Sequence, residues 1–256
     1  MARPLIALAA CLALAAPAAR AAGPTAAEVE QCMRRNLPDR MRQEIQIESS
    51  EPAGAAQHIE ATLDWSRSGD RTELCVAAAV PFEVRGSWLL VRQSGGARDF
   101  YFHHEPLRQT MHLTGGAIAG SLFGTGFTYE DLERAVRADR FAATERLPDA
   151  EVDGRPVQVI ATALPAGSAS AYARIVDYVD RETCVALRTD LESPAGTVVR
   201  RMRAPFDTVL TVGAHWWPYV VAIEDASTGR RTQLTVRSLD DDPKGPRSAC
   251  DAALGR

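Results

Sequence analysis

After residue 21 the chain has no run of the roughly 20 apolar residues that a membrane-spanning helix requires, so no helical membrane span is expected in the remainder. Basic blocks are missing as well. With 33 acidic against 29 basic residues and a formal net charge of −4, nucleic acid is not an expected partner, because neutralising phosphate takes clustered Lys or Arg. The mature chain has no CxxC spacing and no HExxH, which removes the commonest zinc patterns. His103 and His104 are neighbours that a strand would point to opposite faces, and His112 lies beyond Pro106, so no metal site is expected. There is no GxSxG nucleophile elbow. No strand–helix–strand alternation suggests a nucleotide-binding parallel sheet, and nothing points to a carboxylate pair for glycoside chemistry.

What is present begins with MARPLIALAACLALAAPAARAAG. Arg3, an apolar run from Leu5 to Ala16, and the small residues Ala19 and Ala21 at −3 and −1 of a cut after Ala21 form the pattern of a secretory signal peptide. The expected mature protein is exported and spans residues 22–256, a length that suits one all-β or barrel domain or two small domains. A competing lipoprotein box, Leu8-Ala9-Ala10-Cys11, would leave a shorter apolar core. Four cysteines remain after the cut: Cys32, Cys75, Cys184 and Cys250. In an oxidising compartment they imply two disulfides, with three possible connectivities.

Ala26 to Leu37 reads as a helix stopped by Pro38. From there alternation dominates. Ile59, Ala61, Leu63 and Trp65 interleave with Glu60, Thr62 and Asp64 to give a strand one dry and one wet face. The same beat recurs at Val185, Leu187, Thr189 and Leu191, and at Thr232, Leu234 and Val236. Asp153-Gly154 is the dipeptide of a tight hairpin, and DRET (Asp180–Thr183), SPAG (Ser193–Gly196) and STGR (Ser227–Arg230) mark further turns. The second half is therefore expected to be an antiparallel meander.

One internal helix is expected from Thr128, where Thr128 and Asp131 make a weak capping box. Tyr129, Leu132 and Val136 share one face, with Glu130, Glu133, Arg134 and Arg137 turned elsewhere. The loop before it, GGAIAGSLFGTGF, contains no lysine, which excludes a P-loop. Tyr129 stands where a dinucleotide fingerprint would have its third glycine. No cofactor and no catalytic residue is expected. The aromatics Trp88, Phe100, Tyr101, Phe102, Phe123, Phe127, Trp216 and Trp217 either fill a core or line a pocket. A long antiparallel sheet with few helices to cover it must close over a filled interior, bind something apolar there, or oligomerise.

VPFEVRGSWLLV (Val80–Val91), FYFHHEPLRQTMHLTG, LFGTGFTYEDL, RLPDAEVDGRPVQVIATALP, YARIVDYVDRETCVALRTDL and HWWPYVVAIEDASTGRRTQLTV follow one another in an order that resembles the outer-membrane lipoprotein-sorting family with the LolA-like fold. The resemblance runs over about Val80 to Asp242. Its carriers are the P-x-x-x-RG, GT-x-F-TYEDL, V-x-GRP and VD-x-ETC-V elements, and CMRRNLP is similar to the opening of some members.

The resemblance implies a single domain over residues 22–256 with a mainly β fold, a half-open antiparallel barrel with an N-terminal helix and a short lid helix, in the periplasm. It implies a carrier or binding protein for a lipid or acylated protein cargo, with peripheral membrane contact and an inner-membrane RND/MMPL-type permease as partner. A regulatory lipid-binding sensor of the envelope-stress type is the alternative, and an uncharacterised enzyme the third reading. On the carrier reading, Trp88, Phe100, Phe102, Phe123, Phe127, Tyr129 and Leu132 line or cover a ligand cavity. Gly124 and Gly126 are then hinges of the lid, so that Gly126→Val slows cargo exchange with little loss of fold. Cys32 in CMRRNLP and Cys184 in ETCV form a matched pair, which leaves Cys75 with Cys250.

Overall fold

The computed structural model describes residues 23–52, 54, 56–135, 143–168, 170–244 and 250. The expected signal peptide and the Cys11 box lie outside the described residues, as do Val136 and Arg137 of the expected internal helix.

Helix α1 (Ala26–Arg35) starts at a full capping box: Thr25 Oγ1 accepts from the Glu28 N–H, and the Glu28 carboxylate accepts from the Thr25 N–H. It ends two residues earlier than Leu37, with Asn36 as its C-cap, because Leu37, the residue before Pro38, is disfavoured in the helical region. Six strands follow: β1 (Arg40–Ser50), β2 (Gln57–Ser68), β3 (Arg71–Val80), β4 (Trp88–Ser94), β5 (Ala97–His104) and β6 (Gln109–Leu113). After the glycine-rich stretch comes α2 (Tyr129–Ala135). The second half holds β7 (Ala143–Val152), β8 (Arg155–Ala163), β9 (Arg174–Asp180), β10 (Ala186–Glu192), β11 (Val198–Arg203), β12 (Val209–Val212), β13 (His215–Pro218), β14 (Val220–Asp225) and β15 (Arg231–Asp240).

Thirteen strands make one sheet in the order β6-β5-β4-β3-β2-β1-β15-β14-β11-β10-β9-β8-β7, while β12 and β13 pair only with each other. The sheet is two meanders seamed where β1 runs antiparallel to β15. It does not close, and β6 and β7 are its edges. Hairpin chemistry explains the short connections: Asp153 (φ 50°) and Gly154 (φ 80°) both take the left-handed conformation that a two-residue turn demands between β7 and β8.

Alternation decides the faces. Ile45 and Ile47 of β1, and Ile59, Ala61, Leu63 and Trp65 of β2, turn inward into the main core. That inner face also receives α1, α2 and the glycine-rich loop. On the outer face a second cluster gathers Val157, Val159 and Val176 with Val209 and Phe206. The beat expected to run unbroken through Val185, Leu187, Thr189 and Leu191 is interrupted. A register shift between Ala186 and Arg188 sends Val185 and Leu187 to the outer cluster and Leu191 to the main core, since one extra residue flips every later side chain.

Two disulfides pin distant segments to this sheet. Cys32–Cys184 ties α1 to the turn after β9, and Cys75–Cys250 ties residue 250 to the outer face of β3.

The turn after β14 is held by Asp225. Its Oδ1 accepts from the N–H groups of Ser227 and Thr228 and from Ser227 Oγ, and its Oδ2 accepts from Arg200. Burial alone would raise this carboxyl, but those donors outweigh it and hold it down at about 2. A folded-state value below the unfolded one stabilises the fold above about pH 4, and that contribution drains away as the pH falls toward about 2. Urea unfolding should therefore show Asp225→Asn less stable than wild type at neutral pH, with the gap narrowing below about pH 3. A gap independent of pH would contradict this account.

Candidate functional site

α2 builds the centre of the inner face. Thr128 and Asp131 cap one another as expected, each accepting from the other's N–H at 2.9–3.0 Å. The burial of its charges is new information: Glu130, Asp131 and Glu133 are all 0% exposed, although none belongs to the apolar stripe. Each is paired. Glu130 binds Arg134 and accepts from Ser170 and the Ala171 N–H. Asp131 accepts from the Tyr172 hydroxyl at 2.6 Å and from Arg200 of β11. Glu133 receives Arg98 of β5 at 2.8 Å. Burial, then the neighbouring Asp131 carboxylate, push the Tyr172 hydroxyl far above its ordinary value, so it stays a donor. The helix is thus bolted to one strand of each meander.

The glycine-rich loop is fastened in the same way. The Gly126 N–H reaches Ser49 Oγ and Thr232 Oγ1, both at 3.1 Å, and its carbonyl accepts from Arg200. A side chain at this position would meet Thr232 Oγ1 at 2.3 Å. These are the surroundings of an anchor, not those of a free hinge. Gly126→Val should therefore lose about 1–3 kcal/mol of stability through overpacking, visible as a lower urea midpoint, where the hinge reading expects the fold to be little affected. Gly124 takes φ 81°, a conformation that favours glycine on its own account.

Six of the seven expected cavity residues come together. Phe100, Phe102, Phe123, Phe127, Tyr129 and Leu132 all lie in the main core, with Phe102 facing Tyr129 at 5.4 Å and Phe123 at 6.1 Å between ring centroids. They fill the space under the loop. Trp88 is not with them. It lies on the outer face beside Cys75–Cys250 and stacks on His103 at 5.3 Å, because Leu89 and Val91 take the inward positions of β4.

The open space lies elsewhere on the inner face. A cavity of about 140 Å³ sits between α1, strands β8 to β11 and the β13 hairpin. Its apolar wall includes Met33, Leu37, Ile160, Ile175, Met202 and Trp217, and its polar lining includes Glu30, Arg34, Arg134 and Asp177. A smaller void of about 20 Å³ lies toward the plug, touching Phe127 and Leu132. In volume the larger space matches a cavity that admits a benzene-sized group.

Its frame is assembled at one point. Asn36, just past α1, donates to the Thr183 carbonyl and accepts from the Trp216 N–H, while His215 bonds the Arg35 carbonyl. Sequence reading found these residues only as a helix end and an aromatic pair. The available signal was the Val29–Met33 spacing of α1 together with HWWP, and nothing local says that the two meet.

With this geometry in view, comparison with known proteins is informative. A family model with the description "uncharacterized protein" matches residues 70–248, well over half of the chain. The chain belongs to that family. No curated protein matches it in sequence. A DUF1329 family protein from Desulfovibrio piger superposes with a TM-score of 0.77 at 16% identity, over 89% of this chain and 92% of that one. A putative outer membrane lipoprotein-sorting protein domain from Vibrio parahaemolyticus gives 0.73 at 18% identity, covering 83% and 90%. A LolA superfamily protein from Nitrosomonas europaea gives 0.69 at 16% identity, covering 87% and 96%. At these identities the likeness establishes the fold: this family member is LolA-like, a large antiparallel sheet left unclosed, with helices on its inner face.

Proposed function

We propose that this protein is an exported, periplasmic carrier or binding protein for an apolar, lipid-like ligand, taken up in the cavity between α1 and the β13 hairpin. One observation carries the reading. On the inner face of an unclosed sheet, side chains fill the region under the loop yet leave an apolar space beside α1. The apolar wall of such a space stays exposed to water unless a guest covers it. Shelter is worth having for such a guest, since each methylene withdrawn from water contributes about 0.8 kcal/mol. The amino-terminal segment and the two disulfides suit an oxidising compartment outside the cytoplasm. The lipoprotein-sorting and LolA superfamily proteins that share the fold favour a carrier over an enzyme.

The cavity has room for only part of an acyl chain, so the remainder must extend from its mouth. α1 is held by Cys32–Cys184 and α2 by buried ion pairs. The β12–β13 hairpin pairs only with itself among the described strands and is held to the end of α1 through Asn36 and His215. Native mass spectrometry of protein purified without detergent should find a bound apolar molecule, and Met33→Trp, which fills the cavity from α1, should lose it while the fold persists. Wild-type protein that carries nothing and takes up no added dodecanoic acid would refute the proposal.

A further inference from the structure

We infer that Trp217 sets the length of apolar chain this protein accepts, an inference that rests on the carrier reading above. Two spaces on the inner face share, among the described residues, the same three wall side chains, Trp217, Pro218 and Val221. These residues therefore form the partition between them. Trp217 supplies its bulk: it is 8% exposed and lies in the main core, whereas its neighbour Trp216 also lines the larger cavity but is 39% exposed. The pair places one indole on the solvent side of the cavity and the other at its inner end. A chain entering beside Trp216 runs along Met33 and Ile160 and stops against Trp217.

Beyond that ring lies more apolar space. The small void is walled by Leu63, Leu234, Phe127 and Leu132, and Gln43 is its one polar neighbour. Val221 contributes to the partition from β14 of the sheet, but the bulk of the partition, Trp217, lies outside the sheet. It is carried by the β12–β13 hairpin, in which Trp217 pairs with Leu210, and the hairpin is tethered to α1 through Asn36 and His215. Its position is thus set by the segments that frame the mouth. A side chain that separates two apolar compartments acts as a ruler: each methylene that fits gains affinity, and the first that meets the indole gains none.

The test is a titration of the full mature protein with straight-chain alkanoic acids from hexanoic to octadecanoic, below their micellar concentrations, by isothermal calorimetry. Wild-type affinity should rise about fourfold per methylene and then level off. Trp217→Ala joins the two spaces and should move the plateau to longer acids, with a gain of about tenfold or more for those past the wild-type limit. Val221→Phe adds bulk to the same partition without emptying the core and should move the plateau to shorter acids. It decides the question if Trp217→Ala does not fold. A plateau unmoved in the folded variants, or wild-type affinity that climbs without levelling, overturns the ruler and leaves the carrier reading standing. Wild-type protein that binds no acid in the series overturns both.

Discussion

Replacing Asp131 with alanine is expected to cost about 3–5 kcal/mol of folding stability, the usual consequence of removing one partner from a buried ion pair. The carboxylate is 0% exposed and does three jobs at once. It caps α2 through the Thr128 N–H, accepts the Tyr172 hydroxyl, and receives Arg200 from β11. Alanine leaves a buried hydroxyl and a largely buried guanidinium without that acceptor. Asp131→Asn keeps one acceptor oxygen, which can serve the cap or Tyr172 but not both, and gives up the charge, so its loss should be smaller than that of alanine. A urea-unfolding cycle of Asp131→Ala with Arg200→Ala checks the mechanism. Contacting residues in one network should show a coupling energy of about 0.5–3 kcal/mol, and strictly additive losses would mean that the pair does not hold α2 to the sheet.

Removing the Cys32–Cys184 bond by Cys32→Ser with Cys184→Ser should cost about 2–5 kcal/mol, toward the upper end because the bridge closes a separation of 152 residues. The effect should not be confined to stability. α1 roofs the cavity, and Met33 and Leu37 on its wall are placed by the helix that this bond tethers. Binding of an apolar probe should weaken along with the fold. The other bridge provides the control. Cys75–Cys250 fastens residue 250 across the outer face, packed on Trp88 and Leu90 and away from the cavity. Its removal should lower stability while leaving probe affinity intact under conditions where the protein stays folded. Equal losses of affinity in both double variants would show that α1 does not frame the site.

Much of the fold could be read before any coordinates. The capping pair Thr128 and Asp131, the Asp153-Gly154 turn and the alternation in β2 and β15 each depend on chain neighbours alone, and each recurs in the structure where the pattern places it. The misreadings have a common cause. Alternation says that Leu187 and Leu191 share a face only while the ladder is regular, and the shift after Ala186 is imposed by pairing with β9. The spacing of α2 says that Leu132 is buried, but the burial of Glu130, Asp131 and Glu133 depends on arginines and hydroxyls supplied by β5, β11 and the segment around Tyr172. Aromatics near a glycine-rich loop suggest a pocket or a plug equally well.

The amino-acid sequence by itself determined a mainly antiparallel chain with an N-terminal helix, a capped internal helix and enough apolar surface to line an unclosed sheet, because propensity, capping and period are properties of short segments. Tertiary structure alone decided which aromatics fill the interior, which pair of cysteines roofs the cavity, and that the open space lies beside α1 instead of beneath the loop. Those outcomes depend on how volumes from distant strands add up around a point, and no local pattern of residues encodes that sum.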